Sequence, residues 1–296
     1  MLTLGSISAI LFLCTEKYLS TYPMMPLHLF RNPPVCAILV QNFLFGIVYY
    51  SHLYFLPIYY QNARQWSPLK SASLIVPFVA GQSTFSILSG QYISRTGRYG
   101  EVIWTGYILW FLGVGLILLF NRTIQDWAIA LILVVEGAGV GNVFQPTLVA
   151  VQAHSSKADR AVVISVRNFL RNLGGAVGLA ISSAVFSNTL KKNITGLPQG
   201  LRKMILASIL RVPDLENVDQ NEKDKVLDGY MAASRAVFIV WVPLIGVCLL
   251  LTFFIKDRGL QRKEEKVEAE VVDVELEMTG SQELVAGRSE KGAENV

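Results

Sequence analysis

The sequence predicts an all-α membrane protein, a bundle of six transmembrane helices preceded by a short apolar helix stump. Three observations predict it. The 296 residues are 52% hydrophobic and only 16% charged, with a mean hydropathy of +0.43, whereas a soluble domain is about a quarter charged. Much of the charge sits in residues 188–230 and 256–296. The remainder resolves into apolar stretches of about 20 residues or more, each able to cross a ~30 Å hydrocarbon core as a helix.

Residues 2–14 (LTLGSISAILFLC) are apolar but too short to span alone. No basic residue precedes them and no clean cleavage site follows. They read as the tail of a helix whose beginning is missing. Residues 18–34 form a polar connector in which Arg31 and the Pro33-Pro34 pair stop any helix. The spans are expected at about 35–60, 72–93, 102–120, 127–152, 161–186 and 232–255. The domain organisation is therefore a stump and cytoplasmic connector (1–34), a six-helix bundle (35–255) with an outer loop at 188–231, and a tail (256–296). In the outer loop, LRKMILASIL suits a short amphipathic helix at the interface, and VDQNEKDKV reads as solvated. The tail is highly charged and lacks aromatics, the composition of a disordered segment.

The chain is organised around the fourth and fifth spans, which carry charge where charge is expensive. Glu136 lies about ten residues into its span, roughly 15 Å deep at 1.5 Å per residue. A carboxylate there needs a cavity or a partner. It serves either as a proton carrier or as a structural carboxylate paired with arginine. Arg167 and Arg171 are four apart and share a helix face. Arg167 is expected to snorkel to lipid headgroups, whereas Arg171 is too deep to do so easily. Asn168 and Asn172 add hydrogen-bonding groups beside them, and Gln145 adds another in the fourth span. Glu136 and Arg171 share a depth, so they either pair directly or face different neighbours. The small residues Gly137 and Gly141, and Gly174, Gly178 and Ser182, recur four apart and let helix backbones approach closely. In the first span Tyr50, Tyr54 and His52, with Tyr49, either line a substrate site or form an interfacial aromatic belt.

The short loops give an orientation. One side collects Arg31, Arg95, Arg98, Lys157, Arg160, Lys256, Arg258, Arg262 and Lys263; the other collects Arg64, Lys70 and Arg122. The richer side is expected in the cytoplasm, which places the C-terminal tail there. The sequons at Asn121 and Asn193 then fall outside, as candidate glycosylation sites.

Other classes are disfavoured. A net charge of +4 on a membrane protein sets orientation and is weak support for nucleic acid, so no nucleic-acid partner is expected. Cys14, Cys36 and Cys248 all lie in apolar stretches and read as small buried hydrophobes, so no metal site is expected. No phosphate loop, H-E-x-x-H or G-x-S-x-G occurs, so the chain is expected not to be an enzyme and to need no cofactor.

Against this background, the run QNFLFGIVYYSHLYFLPIYYQNARQWSPLKSASLIVPFVAG strongly resembles the first two helices in the C-terminal half of the fourteen-helix drug:proton antiporters of the major facilitator superfamily, fungal toxin and multidrug efflux pumps in particular. The turn GQYISRTGRYG resembles the superfamily loop motif G-x-x-x-[DN]-R-x-G-R: Gly90, Arg95, Gly97 and Arg98 match, and Ser94 stands where an acid is usual. RNFLRNLGGAVG resembles the family's penultimate helix. The resemblance covers about residues 20–256. It implies a multi-pass plasma-membrane transporter that exports amphipathic toxins, secondary metabolites or drugs in exchange for protons. Its expected partners are a small-molecule substrate, protons and the bilayer. It also implies that this is the C-terminal half only, whose site is completed by a missing N-terminal bundle or by another copy of the chain. Alone, the chain is then expected not to transport. A non-transporting remnant or regulatory subunit, and a facilitative or importing member of the superfamily, are the alternatives.

Overall fold

Proline and glycine punctuate the chain into its helices. The structure, a computed structural model, describes residues 11, 15, 30–207, 209–210, 218–255, 257 and 259. The expectations for the apolar stump at 2–14, for most of the connector and for the tail lie outside the described residues. Helix α1 (Pro33–Ile58) opens on the proline pair, whose missing N–H groups cost nothing in a first turn. Pro57 lies inside α1, and a π-helical turn (Tyr59–Ala63) follows. Ser67 caps the short α2 (Pro68–Ser73) by accepting from the Lys70 amide. Helix α3 (Val76–Thr96) ends at Gly97, left-handed with φ 72°, whose amide donates to the Ile93 carbonyl. Helix α4 spans Gly100–Ile117. Helices α5 (Asp126–Phe144) and α6 (Pro146–Ala153) are one span broken at Gln145 and Pro146. Helix α7 spans Arg160–Asn193, α8 Gln199–Ala207 and α9 Gln220–Leu251, with a 3₁₀ turn at Thr252–Phe254.

Among the described residues, six spans are long and apolar enough to cross a membrane, and no strand occurs. The all-α six-span fold is therefore observed. Several boundaries move, and the fifth span runs on to Asn193 rather than ending near 186. The third span is Gly100–Ile117, shifted toward the N-terminus from the expected 102–120. The last begins at Gln220 rather than near 232, with Glu222 in its first turn, where an acid suits the positive end of the helix. Hydropathy marks only the bilayer-crossing part of a helix, so the charged stretch from Gln220 forms the water-side end of α9.

Helix α5 packs on α3 and α4, α1 packs on α7, and α9 crosses α1, α4 and α7. The small residues set the closest approaches. A side chain at Gly137 would meet the Phe78 carbonyl at 2.2 Å, and one at Gly141 the Gln82 carbonyl at 2.4 Å. Across α1 and α7, a side chain at Gly174 or Gly178 would collide with the carbonyls of Phe43 and Ile47, respectively. Large apolar residues such as Ile87, Leu131, Ile239 and Leu250 are more than half exposed. That outward surface suits lipid rather than water.

The two ends of the bundle carry different loop residues. At one end Lys70 pairs with Asp126 at 2.7 Å, and Arg122 pairs with Asp224 and Asp228, each at 2.9 Å. Arg64 donates to the Ile124 carbonyl and stacks on Trp66. Burial pulls the Arg122 guanidinium down, but its two carboxylates outweigh that and leave its pKa raised. Asn121 lies beside Arg122; Asn193 is exposed near Gly229, next to Asp228. At the opposite end the Asn32 amide donates to the His154 carbonyl, and the Gly100 amide donates to Asp257.

Two glycines separate packing from propensity. Gly137→Ala is expected to destabilise the bundle by about 1–3 kcal/mol, since backbone must shift. Gly90→Ala, with nothing within 4 Å, is expected to be neutral or slightly stabilising. Unfolding in detergent, followed by helical circular dichroism, measures both.

Candidate substrate and proton site

The most buried carboxylate sits where five helices meet. Glu136 on α5 is 0% exposed, and its Oε1 lies 3.2 Å from His52 Nδ1 on α1. The Trp110 indole on α4 donates to the same oxygen at 3.3 Å. Gly113 leaves the room: a side chain there would meet Glu136 Cα and Cβ at 2.7 Å. The His52 ring stacks on Phe78 of α3 at 4.7 Å and lies 5.4 Å from Trp241 of α9. Glu136 Oε2 and both ring nitrogens of His52 have no hydrogen-bond partner, so the Nδ1–Oε1 approach is a close polar contact without hydrogen-bond geometry. Glu136 and His52 thus come together, whereas no ion pair joins Glu136 to Arg171. Sequence reasoning treated His52 as one of an aromatic cluster and missed this partnership. The available signal was its place: a lone imidazole deep in a span needs a partner as much as a carboxylate does.

The arginines of α7 converge on the broken span. The Leu148 amide donates to the Gln145 carbonyl instead of the Phe144 carbonyl, which is left with only the Thr147 hydroxyl of its own span, at 3.3 Å. Arg167 supplies a second donor: its Nη2 donates to that carbonyl at 2.7 Å and to Thr147 Oγ1 at 2.9 Å. Arg167 is only 2% exposed, so it does not snorkel outward to headgroups as expected. The negative end of α5 and a carbonyl without its helical amide inside the bundle are the better partner. Arg171 is half-buried, with its guanidinium 4.7 Å from the centre of the Phe144 ring.

A polar belt lies on the face beside these arginines. Tyr50 donates to Asn172 at 3.0 Å, and Tyr49 donates to Gln82 at 3.3 Å. The two tyrosine rings touch edge to face at 5.5 Å. Asn172 and Gln145 are exposed, and Asn168 is half-buried. Tyr54, 46% exposed, lies one turn along α1 against Phe55 and joins none of these bonds. Tyr49, Tyr50, Gln82 and Asn172 sit near the middle of their spans, and Asn168, Gln145 and Tyr54 nearer an end. Polar groups at mid-depth that are open on one side require water or protein, not lipid.

Residues 4–179 match the Major Facilitator Superfamily. The chain belongs to that superfamily. It is an integral, multi-pass membrane protein. It is 44% identical over 276 residues to Citrate exporter 1 of Yarrowia lipolytica, covering 92% of this chain and 41% of that protein. It is 36% identical to the MFS-type transporter clz4 of Cochliobolus lunatus, with 89% and 46% covered. With Efflux pump FUS6 of Gibberella fujikuroi the identity is 28%, with 81% and 44% covered. The chain spans less than half the length of these relatives.

In this superfamily member the loop-motif residues straddle the end of α3: Gly90 and Arg95 lie within the helix, and Gly97 and Arg98 in the turn that follows it. Gly97 makes the left-handed cap, Arg98 pairs with Glu101 at 3.0 Å, and Arg95 and Gly90 are exposed. Tyr92 donates to the same Glu101 carboxylate. Glu101, three residues after Arg98, is thus the acid that this turn employs.

The central pair has a distinct mutational signature. His52→Leu strands a buried carboxylate and is expected to cost about 3–5 kcal/mol. The double change His52→Leu with Glu136→Gln should recover a good part of that loss in detergent unfolding. Equal losses from the single and the double change would show that the two side chains are not coupled.

Proposed function

We propose that the chain forms one wall of a membrane exporter for small organic molecules, organic acids among them, that exchanges cargo for protons. The observation that carries this is the mid-depth polar belt of Tyr49, Tyr50, Gln82, Arg171 and Asn172, partly open on the side of the bundle. A second bundle facing it would enclose a water-filled site between two rigid units, the arrangement that rocking transport requires. Support for export comes from relatives named as a citrate exporter and as efflux pumps.

The Glu136–His52 pair is the proposed proton station. One shared proton leaves it neutral in a dry core. Exchange then requires water to reach Oε2 or Nε2, which ties proton release to a change in packing. The end of the bundle with Arg98 is proposed to face the cytoplasm of a plasma-membrane protein, with the tail on the same side. Asn121 and Asn193 then face outward. Units 1–34, 35–255 and 256–296 are the proposed organisation. Gln145, Asn168 and Tyr54 stay as pathway candidates at the edge of the belt.

The test is movement of labelled citrate and of a labelled amphipathic cation in liposomes with an imposed proton gradient. The chain is reconstituted alone and with the first half of the Yarrowia relative. Gradient-driven movement is expected in the combined preparation, with no movement by the chain alone. Glu136→Gln should flatten its pH dependence. Movement that ignores the gradient would leave a facilitative carrier; none in either preparation would leave a binding or regulatory subunit. Cysteines at Ser94 and Gln199 are expected to be labelled from the cytoplasm and from outside, respectively.

A further inference from the structure

Two positive charges near the centre of this bundle have no negative partner. Among the described residues, no carboxylate lies within ion-pair reach of Arg167 or Arg171. The acids have other partners: Glu136 has His52, Glu101 has Arg98, Asp126 has Lys70, and Asp224 and Asp228 share Arg122. Arginine does not shed its proton to escape the cost of burial. Arg167 is partly compensated by the Phe144 carbonyl and the negative end of α5. Arg171 makes no hydrogen bond to the described protein atoms; its guanidinium lies over the Phe144 ring. Its buried Nε is unpaired.

Position excludes the ordinary explanation. Arg171 packs at the level of Gly46, whose side-chain position would fall 2.0 Å from the Arg171 carbonyl. Gly46 is the fourteenth residue of α1, about 20 Å from that helix's start. Lipid phosphates lie at the surface, a full half-bilayer away. Arg235, the other cation well inside a span, lies two turns from Asp228 at the Arg122 end and is exposed, so its long stem can reach that surface.

We infer that Arg171, with Arg167 fixed one helical turn away, forms a binding site for a multivalent organic anion on the polar belt. Arg171 is the contact residue. Its planar fork suits a carboxylate, and the Phe144 ring backs it. Asn172 and the Tyr50 hydroxyl, adjacent and open, supply neutral hydrogen bonds. Arg167 is a positioning residue: it holds the Phe144 carbonyl, and its uncancelled charge favours a second carboxylate over a first alone. The site deepens the exporter reading, and rests on it only in calling this anion the cargo.

The test measures binding rather than transport. The purified full chain is placed in nanodiscs of neutral phosphatidylcholine, and binding of citrate, acetate and glycerol is measured by calorimetry. Citrate is expected to bind at least ~10-fold more tightly than acetate, weakening with salt, and glycerol not at all. Arg171→Gln should abolish citrate binding, Arg171→Lys should retain part of it, and Arg167→Gln should narrow the gap between citrate and acetate. Helical circular dichroism and a single size-exclusion peak show that each variant is folded. Absence of citrate binding by the folded wild type would overturn the site. So would equal binding by Arg171→Gln, or binding seen only when anionic lipid is added. Gradient-driven export of citrate by the combined halves that is unaffected by Arg171→Gln would overturn the site and keep the exporter. Citrate binding lost in Arg171→Gln, without any transport, would keep the site and end the exporter reading.

Discussion

A hydrocarbon solvent offers no hydrogen bonds, so each polar group at mid-depth must be settled by the bundle itself. Glu136 makes the strongest demand, and the helices are arranged to meet it. His52 arrives from α1, the Trp110 indole from α4, and the aromatic walls from α3 and α9. Gly113 removes its side chain where the Glu136 backbone passes. Gly139 does the same against Trp110, where a side chain would meet the backbone nitrogen at 2.3 Å. Meeting the carboxylate's demand therefore fixes the rotation of α1, α4 and α5 together. The tight α3–α5 seam follows from the same rotation, because it turns Gly137 and Gly141 toward Phe78 and Gln82.

The same constraint gives a different answer one span later. A broken helix normally strands carbonyls, and Pro146 guarantees the break. Here the loss is used. Thr147 turns its hydroxyl back onto the Val143 carbonyl at 2.8 Å, and Arg167 covers the Phe144 carbonyl. A buried cation and a severed helix would each be costly alone; joined, each satisfies the other. Arg171 has no such donor–acceptor arrangement, and this difference separates a structural arginine from one available to a ligand.

The number and kind of elements were legible because a bilayer imposes a length and a hydropathy on each span. Gly137, Gly141, Gly174 and Gly178 were legible for a related reason, since small residues four apart mark close helix contact. The ends of helices were less so. Apolar patterning is blind to the water-side turns of α9, and the break at Gln145 and Pro146 was hidden inside one hydrophobic run although its proline was in view. Glu136 and Arg167 stood out as costly residues, but their partners did not. Pairing depends on helix rotation, and spans that are apolar on every side carry no periodicity from which to read rotation. Thus the sequence could mark which charges needed partners, and only packing could assign His52 to one and a backbone carbonyl to the other.

The outer surface of the bundle is consequently not uniform. Ile87, Leu131, Ile239 and Leu250 present aliphatic side chains that lipid accepts without penalty. The belt of Tyr50, Asn172 and Arg171 presents donors and acceptors at a comparable depth, where lipid accepts none. A rigid bundle with both surfaces must direct one toward the bilayer and the other toward something wet. The internal polar groups are arranged accordingly: Glu136, with His52 and Trp110 against it, is walled in, and Arg171 lies at the edge of the belt. In the proposed anion site, selectivity accordingly belongs to the belt rather than to the core, because Arg171 holds its charge at the edge, beside the open Asn172.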